Sequence, residues 1–122
     1  MELARFEQLV EEALKDLPKE FVERLDNITI IVQDFAAPDQ LAKVNLSNPH
    51  HLLGLYEGIA LTNRPLGYAG AMPDRISIFR VPIEEMSRDD EAIKAQVRQT
   101  VMHELGHYFG MSERELRELD MD

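Results

Sequence analysis

The chain contains no cysteine. That excludes thiolate-ligated metal sites and any disulfide framework, and it suits a reducing compartment. Positive charge is scarce as well: 13 Lys and Arg stand against 23 Asp and Glu, a formal net charge of −10. This sign opposes nucleic acid and anionic membrane surfaces as partners. No apolar run approaches the length of a membrane span. The first residues, MELARFEQLVEEALKDL, are acidic and amphipathic, without the basic and then apolar regions of a signal peptide. A cytoplasmic protein that binds neither nucleic acid nor membrane is expected. A length of 122 residues suits one domain, residues 1–122, with a single core.

What is present is concentrated near the C-terminus. Residues 103–110 read His-Glu-Leu-Gly-His-Tyr-Phe-Gly, an H-E-x-x-H pattern. On a helix, residues four apart are separated by only about 40° around the axis. His103 and His107 then project from one face and can converge on a single ion, and neutral imidazole is a good zinc ligand. Glu104 sits one step round, beside the ion, where a general base for an activated water belongs. Ile93, Val97, Val101, Leu105 and Tyr108 form one apolar stripe along the same helix. The histidines lie roughly 100–140° from that stripe, so they face a cleft or solvent rather than the core. Gly110 offers the helix a stop.

The rest of the chain reads as α+β. Residues 2–16 form an amphipathic helix with Leu3, Phe6, Leu9, Val10 and Leu14 on one side; Pro18 breaks it, and 19–25 form a short second helix. Residues 27–33 are β-branched and read as a central strand. Residues 34–51, with Pro38, Asn45, Asn48 and Pro49, read mainly as irregular connection. A short strand framed by glycines covers 53–59, and 63–67 are turn-like. Another strand runs from Asp74 to Val81 and ends at Pro82. Ser87-Arg88-Asp89-Asp90 can cap the long helix that carries the motif. A sheet of three or four strands, covered on one face by the N-terminal and motif helices, follows. The strand order does not.

The segments GLYEGIAL, PDRISIFR and HELGHYFGMSERELRELD resemble the small bacterial zincin-like metallopeptidase domains, over residue 50 to the C-terminus. The resemblance implies a small zincin-like α+β fold with a mixed sheet, a bound Zn²⁺, and a peptide or protein substrate hydrolysed by an activated water. The family motif extends as H-E-x-x-H-x-x-G-x-x-D, whose last acid is the third metal ligand. By position, the resemblance makes His103 and His107 ligands, Glu104 the base, Gly110 the turn and Glu113 the third ligand, with Glu in place of Asp. A zinc-binding or interaction domain that keeps the motif without catalysis is the alternative.

Other residues compete for roles. Glu115 and Glu118 are rival third ligands on a helix that SERELRELD can form. Ser112 and Glu115 also match a capping box, and Glu118 suits a charged helical surface. Glu113 itself could simply stabilise the start of that helix. His50 and His51, adjacent on an extended segment, would point to opposite sides and make a poor chelate. Tyr56, Tyr68 and Tyr108 could each donate to an oxyanion, though core packing is the simpler role. Asp74 and Arg75 read as a structural ion pair near the cleft.

Overall fold

The computed structural model describes residues 1–25, 28–58, 74–110 and Arg114. Helix α1 spans Leu3–Lys15 and buries Phe6, Leu9, Val10 and Ala13, one stripe at helical spacing. Leu3, expected in that stripe, is exposed. Pro18 precedes helix α2, Lys19–Arg24. Three strands follow along the chain: β1, Ile28–Gln33; β2, Gly54–Glu57; and β3, Asp74–Phe79. The order in the sheet is β1-β3-β2, with β1 parallel and β2 antiparallel to β3. The sheet is therefore mixed, and with its helices the fold is a small α+β fold.

β1 does not hold the central place expected of it; among the described residues that place belongs to β3. Burial explains the difference. Ile76, Ser77, Ile78 and Phe79 are all fully buried, as a strand covered on both faces requires, whereas only Ile28 is buried in β1. β-Branched composition alone does not separate an edge from a centre.

The stretch 34–51 is also more regular than expected. Helix α3 covers Pro38–Lys43, with Pro38 at its first position, where no N–H is needed. Gln40 accepts the Ala37 N–H through Oε1 at 2.8 Å and so closes the helix start. Residues Pro49–His51 form one 3-10 turn, held by Asn48 Oδ1 accepting from the His50 N–H at 2.9 Å. Likewise, β3 stops before Pro82, and Arg80–Glu85 forms helix α4. Pro82 sits in its first turn, where an intrahelical donor is not required.

The long helix α5 runs Asp90–Tyr108 and starts on Asp89, whose Oδ1 accepts the Ala92 N–H at 2.8 Å. Ile93, Val97, Val101, Leu105 and Tyr108 are all buried, in one core with Phe6, Leu9 and Val10 of α1 and Ile76 and Ile78 of β3. The other face of β3 and β2 carries a second cluster of Ala36, Leu41, Leu55 and Phe79, closed by α3. Side chains alternate along β2. Gly54 and Tyr56 thus face α5, while Leu55 and Glu57 face α3. No helix among the described residues is long and apolar enough to cross a membrane.

Candidate metal centre

His103, Glu104 and His107 lie on the last turns of α5, the histidines away from its buried stripe and Glu104 beside it. The histidines are half-buried and Glu104 is buried. One donor atom from each of the three comes within 4.8 Å of the others. The two Nε2 atoms are 3.2 Å apart, with the rings tilted by 61°. Imidazole nitrogens that share one tetrahedral ion at ~2.0–2.1 Å are separated by about 3.3 Å. The helix alone therefore brings two nitrogen donors to the separation that zinc requires.

Glu104 is fixed from across the cleft. Its Oε1 accepts the backbone N–H of Tyr56 at 2.7 Å, and its Oε2 lies 3.9 Å from His103 Nε2. The donor comes from the outer edge of β2. The Phe79 N–H donates to the Leu53 carbonyl at 2.9 Å, so by the antiparallel alternation Leu55 and Glu57 also bond to β3. The N–H and C=O of Gly54 and Tyr56 then point away from β3, along the cleft. Gly54 lets β2 approach α5 closely: a Cβ there would stand 2.5 Å from Thr100 Cγ2. A pocket of about 510 Å³ opens along this edge, lined by His103, Glu104 and His107 on one side and by Lys43 and Val44 on the other. A second pocket of about 300 Å³ continues up α5 past Gln96, Gln99 and Thr100.

Residues 25–122 match the family model of the zincin-like metallopeptidases. The chain belongs to this family. Compared with curated proteins, it matches none. Zincin-like metallopeptidases act on peptides and typically use zinc, and the His-Glu-His group on α5 is the described cluster suited to such an ion.

Some sequence expectations hold at the site, core packing of Tyr56 and Tyr108, the poor chelate of His50 and His51 and the stop at Gly110 among them, and others change. Tyr56 does not aim its hydroxyl into the cleft; Tyr56 Oη donates to Asp74 Oδ1 at 2.9 Å, and the ring packs edge-on against Tyr108, 5.7 Å between centroids. Tyr108 is buried in the core. Asp74 and Arg75 are not an ion pair: consecutive strand residues face opposite sides, and Arg75 pairs with Glu57 at 3.2 Å. His50 and His51 lie on a 3-10 turn, not an extended segment. His50 Nδ1 sits 2.6 Å from Glu85 Oε1, and His51 Nε2 sits 3.4 Å from Asn48 Nδ2, so the pair diverges. Gly110 ends α5 at φ 77°, its N–H donating to the His107 carbonyl at 2.9 Å. Glu113, Glu115, Glu118, Ser112 and Tyr68 lie outside the described residues.

The Tyr56–Glu104 contact was not anticipated. It joins residues 48 apart in sequence through a backbone donor, which carries no residue-type signature.

Proposed function

We propose that this chain is a zinc-dependent peptidase that folds as a single domain over residues 1–122 and acts in the cytoplasm. The observation that carries the reading is the 3.2 Å spacing of His103 and His107 Nε2 beside a Glu104 carboxylate held at the cleft. His103 and His107 would hold the ion, with Glu113 as third ligand by the family pattern. Zinc bound there would polarise a scissile carbonyl and make a water acidic enough to attack near neutral pH.

The chain's own residues supply the rest. Glu104 Oε2 takes the proton of the attacking water and delivers it to the leaving amine. The Tyr56 N–H keeps the other carboxylate oxygen in place, so the base does not have to search for its orientation. The Tyr56 N–H is held by Glu104, and the outward N–H and C=O of Gly54 are suited to pair with an extended peptide by strand addition. The substrate backbone would then run between β2 and α5, over the histidines.

Substitution of Glu104 by Gln tests this reading. Wild type should cleave members of a peptide library. The variant should keep stoichiometric zinc and lose activity by about 10²–10⁴-fold, the usual contribution of a general base. A wild type that cleaves nothing, with a Gln variant that captures the same partner equally well, would make the chain a zinc-binding interaction domain instead.

A further inference from the structure

The pocket beside the histidines has a second wall, on the far side of β2, that the proposed chemistry does not use. It is built from the end of α3 and the outer face of the sheet. Glu57 points to this face, and its side chain is only 8% exposed. Its Oε1 accepts from Gln40 Nε2 at 2.9 Å and Arg75 NH2 at 3.2 Å, and its Oε2 accepts from Lys43 Nζ. Burial pushes the Glu57 carboxyl up, but the hydrogen bonds from Lys43 and Gln40 and the charges of Arg75 and Lys43 outweigh it and hold it below the usual carboxylate range. Glu57 is thus an ionised acid whose acceptor capacity is largely consumed.

The cations around it are in the opposite condition. Lys43 is 53% exposed and Arg75 47% exposed. An ammonium carries three donors and a guanidinium five. Among the described residues each makes an ion pair with Glu57, and about half of each side chain is exposed. Among the described residues two cations, Lys43 and Arg75, flank the one Glu57 carboxylate, and Lys43 is the one of the two that lines the pocket. That pocket contains His103, Glu104 and His107.

Strand geometry connects this spot to a peptide. In a strand added along β2, side chains opposite Tyr56 fall on the α5 face, and those opposite Leu55 and Glu57 fall on the α3 face. A residue next to the reacting one therefore meets Lys43.

We infer that the end of α3 forms a substrate side-chain subsite for a carboxylate, with Lys43 as its recognition residue. The inference rests on the peptidase reading and adds its substrate class: peptides with Asp or Glu beside the cleaved bond. Lys43 sets which peptide is taken, while the chemistry belongs to α5.

The test uses zinc-loaded protein at low salt and matched peptides that differ at one position as Glu, Gln or Lys. Zinc content measured alongside reports that the site is intact. At one position near the cleaved bond, wild type should favour Glu over Gln by about three- to five-fold in kcat/KM, the range of an exposed ion pair. Lys43→Arg should keep that ratio, Lys43→Gln should bring it to about one, and Lys43→Glu should push it below one. Equal ratios in wild type and all variants, or a wild-type preference for Lys, would overturn the subsite. Failure of every protein to cleave any peptide would instead remove the peptidase reading. The subsite is then decided by binding of fluorescein-labelled Glu and Gln peptides to the same proteins. A Glu preference lost in Lys43→Gln supports it, and equal affinities overturn it.

Discussion

Thr100 Cγ2 occupies the position into which any side chain on Gly54 would grow, 2.5 Å from an ideal Cβ, with the Ser77 carbonyl 3.1 Å away on the other side. Strand β2 can lie against α5 at this depth only with glycine there. Gly54→Ala should destabilise the protein by about 1–3 kcal/mol through overpacking. Thr100→Ser, which removes Cγ2, should recover part of the loss. Urea denaturation of the two single variants and the double variant measures the coupling, and strict additivity would show that the contact does not matter.

The histidines are expected to act as a pair. His103→Ala or His107→Ala should each abolish stoichiometric zinc binding, because water replaces a lost imidazole nitrogen poorly. Metal analysis of the purified variants reads this directly. Full occupancy in either one would refute the centre as assigned.

Closing the coordination is assigned to Glu113 by the family pattern. Glu113→Ala should cut zinc affinity markedly, and Glu113→Asp should retain much of it, since zinc accepts either carboxylate. Glu118→Ala should change little. A competition titration against a chelator gives the order, and Glu118 critical with Glu113 dispensable would reassign the third ligand.

Acid sensitivity follows from Glu57. Its folded-state pKa is lowered, so the stability it contributes is fully present above its ordinary value of 4.5 and is lost as pH falls through the lower folded value. Wild type should therefore exceed Glu57→Gln in stability by a constant margin at pH 6 and 7, and the margin should shrink below about pH 4.5. Denaturant midpoints across that range check the sign; a margin that widens on acidification would contradict it.

Much of this site was legible because a helix converts spacing into geometry without help. The i, i+4 histidines and the buried stripe from Ile93 to Tyr108 follow from one helical period, and the cap, Asp89, falls within the Ser87–Asp90 stretch expected to supply it. What escaped depends on context. Pro38, Pro49 and Pro82 read as breakers, yet each lies in the first turn of a helical segment, where the missing N–H costs nothing. The edge position of β1 and the hold of Tyr56 on Glu104 depend on strand pairing between distant segments, which no local pattern encodes. Nothing in the sequence singles out Lys43, because its place at the cleft is set by α3, a helix hidden behind its own proline.

α5 faces two ways. Its apolar stripe anchors it in the core, and the histidine pair stands on another side, already at ligand spacing. The work of building the fold and the proposed work of holding an ion would thus be divided between different surfaces of one rod. Stripping the ion should leave the helix in place, removing only the mass-action stabilisation that any bound ligand gives. A domain of this kind should fold before it is loaded, unlike a zinc finger, in which the ion organises the chain.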